Sequence, residues 1–185
     1  MRDVMIDTET LGVEADAVIL SIGAVKFDPN SDAIDDNAFY SAISIESNLR
    51  SQRHIDPDTL RWWLKQSREA QAVFFETKNS LRAVLTELSA WINNEDSCVW
   101  SNGADFDIPL LAHAYRTNDL KTPWKFFNNQ CFRTYKKLPV AARTTMPAFV
   151  GVKHNAMMDA HHQARVVQAI RATMNNEAKM KGLQQ

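Results

Sequence analysis

The sequence predicts an α/β domain built on a mixed sheet, an antiparallel meander plus parallel strands, flanked by helices. Three observations carry that prediction. Apolar, β-branched runs gather near the N-terminus, a 3.6-residue period takes over after Asp56-Pro57, and one strand-like run, Ser97-Cys98-Val99-Trp100, lies between two helical stretches. Consecutive strands with short links pair antiparallel, whereas strands separated by helices pair parallel.

Each element follows in order. Val4-Met5-Ile6 opens a first strand; Ala17 to Phe27 makes a second, ended by the turn signal Asp28-Pro29-Asn30; a third is expected from Ala38 to Ile45. Leu60, Trp63 and Leu64 share one helical stripe. A clearer helix spans about Ser80 to Asn93, with Leu81, Val84, Leu85, Leu88, Trp91 and Ile92 as its apolar positions. After the 97–100 strand, Asn102-Gly103 turns into a helix through Ile108, Leu111, Ala112 and Tyr115. A short element is placed between Phe126 and Arg133. The last helix begins near Asp159 and carries Ala160, Ala164, Val167, Ala169, Ile170 and Met174. No repeat or low-complexity tract interrupts this order, so residues 1–175 read as one domain and the polar residues 176–185 are expected to fray.

A chain of 185 residues with 45% hydrophobic and 23% charged side chains has ordinary globular composition. No run is long and apolar enough for a membrane helix, and Met-Arg-Asp-Val lacks the layout of a signal peptide, so a cytoplasmic location is expected. Cys98 and Cys131 read as free thiols packed as small hydrophobes. A net charge of −1 argues against nonspecific coating of duplex nucleic acid, and leaves nucleic acid open as a substrate.

The acids carry more information. In MIDTET, Asp7 and Glu9 stand two residues apart at a strand end, so the pleat points both to one side. SNGADFDIPLL sets Asp105 and Asp107 where a helix begins; Asp105 suits an N-cap, while Asp107 shares a face with Leu111 and aims toward the sheet end. Asp159 starts the last helix, five residues after His154 in HNAMMDAHH. Singly, each has an ordinary explanation: a solvated turn, a helix cap, a surface histidine. Jointly they come in an order that can converge at one sheet edge. Four carboxylates meeting there need divalent cations, and hard oxygen ligands suit Mg²⁺ or Mn²⁺, two of which ~4 Å apart can stabilise a phosphodiester displacement.

This set resembles the DEDDh 3′–5′ exonucleases, a ribonuclease-H-like group that includes proofreading exonuclease domains and ribonuclease T. Asp7-Thr8-Glu9 looks like the first motif of that family, Asn102 with Phe106-Asp107 like the second, and His154 through Asp159 like the third. The spacing Asn-Gly-Ala-Asp-Phe-Asp is one residue longer than the commoner Asn-Ala-x-Phe-Asp. TLRWWLKQSREA at Thr59 is similar to a segment of the branch that contains a DexA-type phage exodeoxyribonuclease and a mycobacterial adenylate-preferring ribonuclease.

The resemblance implies that Asp7, Glu9, Asp107 and Asp159 hold two metal ions and that His154 takes a proton from the attacking water, a task for the side-chain type that titrates near neutral pH. Nucleoside 5′-monophosphates would leave from the 3′ end of single-stranded DNA or RNA. His161 and His162 would be bystanders; a His-rich zinc or iron site is the rival reading. By the same resemblance Phe106 stacks on the terminal base, Leu11 wedges against it, Asn102 belongs to the substrate-binding set, and a homodimer is in keeping with related exonucleases.

Adjacent helical residues point about 100° apart, so Trp63 is expected inside and Trp62, beside Lys65 and Gln66, is either a base-stacking platform or packed on a neighbouring helix. Arg50, Arg53, Arg61, Lys65, Arg68, Arg133, Lys136 and Lys137 could follow a phosphate backbone, scattered surface charge being the default explanation. A non-catalytic nucleic-acid or protein-binding module on the same scaffold is the second class of function. It would be expected to lack a carboxylate or the histidine, and none is lacking.

Overall fold

Strand β1 (Asp3–Thr10) alternates between two cores, and that alternation organises the molecule. Its even residues Val4 and Ile6 join one buried cluster, while Met5 joins another on the opposite face. The computed structural model describes residues 2–103 and 105–182. β2 (Ile19–Phe27) pairs antiparallel with β1, and β3 (Phe39–Ala42) antiparallel with β2; β4 (Cys98–Ser101) and β5 (Asn129–Cys131) add on parallel at the other side. The resulting order, β3-β2-β1-β4-β5, is the mixed sheet of a ribonuclease-H-like α/β fold.

Helices cover both faces. Between β3 and β4 lie α1 (Ile45–Arg50), α2 (Pro57–Trp63), α3 (Arg68–Gln71) and α4 (Leu81–Ile92); α5 (Asp107–Thr117), α6 (Phe132–Tyr135) and α7 (Ala156–Gly182) follow. Leu81, Val84, Leu85 and Leu88 of α4 and Ile108 and Leu111 of α5 pack with Val4 and Ile6. On the other face, Ala160, Ala164, Val167 and Ile170 of α7 pack with Met5, Val25 and Trp100. Leu11, Val18, Leu20 and Trp63 make a third cluster with Ala70 and Val73. Among the described residues no helix is long and apolar enough to cross a membrane, and no disulfide joins Cys98 and Cys131.

Several elements differ from the sequence-based expectation. The third strand stops at Ala42 rather than Ile45, because the Ser44 side chain accepts the Ser47 N–H and caps α1 instead. Of the Leu60, Trp63 and Leu64 stripe only Trp63 is buried, its indole N–H donating to Thr10 O at 2.8 Å; α2 is seven residues long and presents one large side chain to the core. Asp105 does not cap α5, whose N-cap position is Phe106. The last helix begins at Ala156 rather than Asp159, with Asn155 Oδ1 accepting the Met158 N–H. It continues through Gly182, so the polar stretch expected to fray is helical over its described part, and Arg143 pairs with Glu177 there.

One glycine sets the distance between α7 and the sheet. Gly23 of β2 is the cross-strand partner of Asp7, and a Cβ built on it would lie 2.1 Å from Met157 N and 2.2 Å from Ala156 C. The missing side chain lets the first turn of α7 rest on the strand, beside Asp7. Gly23→Ala should therefore cost at least about 1–3 kcal/mol through overpacking, read as a lower urea midpoint; unchanged stability would contradict this seating of the helix.

Candidate active site

Asp7 and Glu9 project from the C-terminal end of β1 toward α7, on the face that Met5 shares. Asp107 reaches the same place from the opposite layer. Its Oδ1 accepts the Thr8 N–H at 3.1 Å and the Thr8 hydroxyl at 2.7 Å, so the residue between the two strand acids holds the third. Asp159 enters from the first turn of α7, and one turn later Gln163 donates its amide N–H to Asp7 Oδ1 at 2.7 Å.

His154 sits in the loop before α7 with φ 62°, a left-handed conformation costing a non-glycine residue roughly 1–2 kcal/mol. Its backbone N–H donates to Asp159 Oδ2 at 2.8 Å, which ties the loop to the helix and offsets that strain. Ligand-type atoms of Glu9, His154 and Asp159 all lie within 4.8 Å of one another. These residues, with Asp7, Thr8, Asn102, Phe106, Asp107, Arg133 and Gln163, line a cavity of about 330 Å³.

Burial and like charge shape the electrostatics. Desolvation, then the neighbouring Asp107, Glu9 and Asp159, raise Asp7 well above the ordinary carboxylate range. Glu9 is pushed up to about 8 by burial and by Asp159 and Asp107. Asp107 rises to about 6 through burial, restrained by its hydrogen bonds to Thr8. Asp159 is raised by burial and held back by the His154 N–H. Such a group accepts protons or cations readily.

Beside the acid cavity a more apolar cleft of about 480 Å³ is lined by Val13, Thr59, Trp62, Trp63 and Phe106. Trp62 is 41% exposed and stands edge-on to the His154 ring, centroids 4.9 Å apart. Phe106 lines both cavities. Leu11, expected to wedge against a terminal base, is instead buried among Val18, Leu20 and Trp63. The pairing register shifts between Glu9 and Thr10, so the alternation that aligns Asp7 with Glu9 does not extend to Leu11, and Val13, two residues on, is exposed and lines the cleft.

Other expectations also sort out here. Arg53 is buried, donating to the Ala15 and Ala17 carbonyls, and does not face solvent as a backbone-tracking cation would. His161 and His162 stay outside the Glu9, His154 and Asp159 group; His162 packs on the Phe149 ring and His161 lines a separate cleft with Asp35 and Arg165. The His-rich metal site is therefore not assembled among the described residues. Thr8 and Gln163 went unnoticed as parts of the site, and Arg133, named in the sequence only among the cations that could follow a phosphate backbone, lines the acid cavity itself. Gln163 carried a signal, being a polar residue between Ala160, Ala164 and Val167 on a buried stripe.

Comparisons with known proteins show the family to which the chain belongs. A family model described as the 3′-5′ exoribonuclease Rv2179c-like domain matches residues 2–171. The exodeoxyribonuclease of Enterobacteria phage T4 is 28% identical over 191 residues, covering 86% of this chain and 84% of that protein. Among solved structures, E. coli exonuclease I in complex with a dT13 oligonucleotide has a TM-score of 0.66 at 11% identity, over 96% of this chain and 42% of that one. A product-bound exonuclease I has a TM-score of 0.64 at 12% identity, over 95% and 45%. This chain spans less than half of exonuclease I, and that likeness shows the shared fold. The enzyme class is 3′–5′ exonuclease. The chain belongs to the Rv2179c-like 3′-5′ exoribonuclease domain family, a family that implies divalent metal ions.

A raised carboxyl pKa means that the folded protein holds its proton more tightly than the unfolded chain does. That stabilisation is complete below about pH 4 and is lost as pH rises through the folded values, about 6 for Asp107 and about 8 for Glu9. In EDTA, Glu9→Gln should therefore flatten the fall in melting temperature between pH 6 and 8 relative to wild type. Parallel curves for the two proteins would contradict it.

Proposed function

We propose that the protein is a metal-dependent 3′–5′ exonuclease that shortens single-stranded DNA or RNA from its 3′ end and releases nucleoside 5′-monophosphates. The observation that carries this reading is the convergence of Asp7, Glu9, Asp107, Asp159 and His154 on one cavity. Four carboxylates drawn from β1, α5 and α7 repel one another and offer hard oxygen donors, a set that fits Mg²⁺ or Mn²⁺ better than softer metals. Two such ions, when bound, would neutralise the acids and stabilise the attacking and leaving oxygens of a phosphodiester.

The chain's own residues supply the rest. Asp7, Glu9, Asp107 and Asp159 would be the metal ligands, with Thr8 and Gln163 fixing two of them by hydrogen bonds. His154 would accept a proton from the attacking water as its oxygen bonds to phosphorus; the P–O3′ bond then breaks and the 3′ oxygen takes up a proton. Trp62 and Phe106, lining the adjoining cleft, offer ring faces on which unpaired bases can stack, an interaction worth ~1–3 kcal/mol per base. Asn102 stands exposed at the cavity rim, a polar group within reach of the same strand. A protein-binding or nucleic-acid-binding module without catalysis has no use for a pocket of mutually repelling acids.

The test is to incubate 5′-labelled DNA and RNA oligonucleotides side by side with Mg²⁺, Mn²⁺ or EDTA. A ladder of shortened products is expected with either metal and not with EDTA. His154→Ala should lower kcat by about 10²–10⁴-fold, and Asp7→Ala should abolish the ladder. Binding without shortening of either polymer would overturn the proposal.

A further inference from the structure

We propose that Arg133 is a further catalytic residue of this cavity: its guanidinium grips the scissile phosphate and offsets the negative charge that builds there during attack. The inference rests on the exonuclease reading above and adds a residue to it.

The placement follows from the edge of the sheet. β5 pairs parallel with β4, Ser101 opposite Cys131, so the residues after Cys131 emerge at the same sheet end as the residues after Ser101. Buried Phe132 anchors the start of α6, and Arg133 follows it. The Arg133 side chain then lies across the β4–α5 loop. Its Nη2 donates to Asn102 O at 2.8 Å. Gly103, at φ 133°, makes the room: a Cβ there would stand 3.1 Å from Arg133 Nη2 and 3.2 Å from Cζ.

The guanidinium remains available. Its nearest carboxylate, Asp105, is 3.9 Å away and 84% exposed, and the Arg133 side chain is itself 51% exposed. An exposed pair at that distance contributes little and is readily exchanged. A guanidinium carries five N–H donors, so the bond to Asn102 leaves a fork able to meet two phosphate oxygens at once.

Charge gives the reason for a cation here. The four carboxylates of the cavity and two divalent ions would sum to zero, which leaves the phosphodiester and the further charge of its transition state without a counterpart. Besides His154, assigned as a neutral base, Arg133 is the basic side chain among the described residues lining this cavity.

The experiment compares wild type, Arg133→Ala and Arg133→Lys in single-turnover cleavage of 5′-labelled oligonucleotides at saturating metal. Arg133→Ala should lose about 10²–10³-fold in kcat, the effect of deleting one preorganised charged donor, with KM far less changed and an unaltered melting temperature. Arg133→Lys should recover part of the rate. Added guanidinium at non-denaturing concentration should partly rescue Arg133→Ala, and urea, its neutral analogue, should not. Wild-type kcat in Arg133→Ala, or a loss that guanidinium does not rescue, would overturn the inference while leaving the exonuclease reading intact. An inactive wild type on both polymers would overturn both.

Discussion

The burial of Asp7, Glu9, Asp107 and Asp159 side by side, away from water, governs the rest of this structure. Carboxylates brought together and shielded from water resist ionisation, and each here is pushed upward, Glu9 to about 8. A fold keeps such an arrangement only if the acids are held in place by groups that cannot relax away. Thr8 grips Asp107 through both its N–H and its hydroxyl, Gln163 grips Asp7, and the His154 N–H grips Asp159. The acid pocket is thus a set of carboxyl groups clamped by neutral donors, an arrangement that suits the proposed binding of cations.

The scaffold serves that clamp by bringing two layers to one sheet end. Asp7 and Glu9 lie toward α7, whereas Asp107 comes from the layer of α5, and Thr8, of opposite parity on β1, is what joins them. Small residues allow the close approach: Gly23 beneath the first turn of α7, then Ala156, Ala160 and Ala164 along its buried side. Gln163 accepts a cost for its part. Its Oε1 is buried without a hydrogen-bond partner among the described residues, because the amide is turned to give Asp7 its N–H.

Much of this was legible in the sequence, for physical reasons that differ by residue. The period-two pleat is strict, so Asp7 and Glu9 could be put on one side of β1 from spacing alone. The α4 boundaries were readable because Ser80 caps the start and Asn93 adopts the left-handed conformation at the end. Leu11 was misplaced because a register shift after Glu9 breaks the alternation, a feature that no apolar pattern records. Leu60 and Leu64 were misplaced because periodicity cannot tell a short helix that lays one tryptophan into a core from a longer one that lays a stripe. Thr8 and Gln163 escaped, and Arg133 was read only as one of several surface cations, because what matters is which acid or carbonyl each one reaches, and those partners lie 99, 156 and 31 residues away along the chain.

The central claim is that these acids exist to bind a pair of divalent ions. Anomalous diffraction from crystals soaked in Mn²⁺ tests it most directly. The account predicts two manganese peaks in the cavity bounded by Asp7, Glu9, Asp107 and Asp159, both lost on adding EDTA. Manganese bound elsewhere, with that cavity empty at saturating concentration, would contradict it.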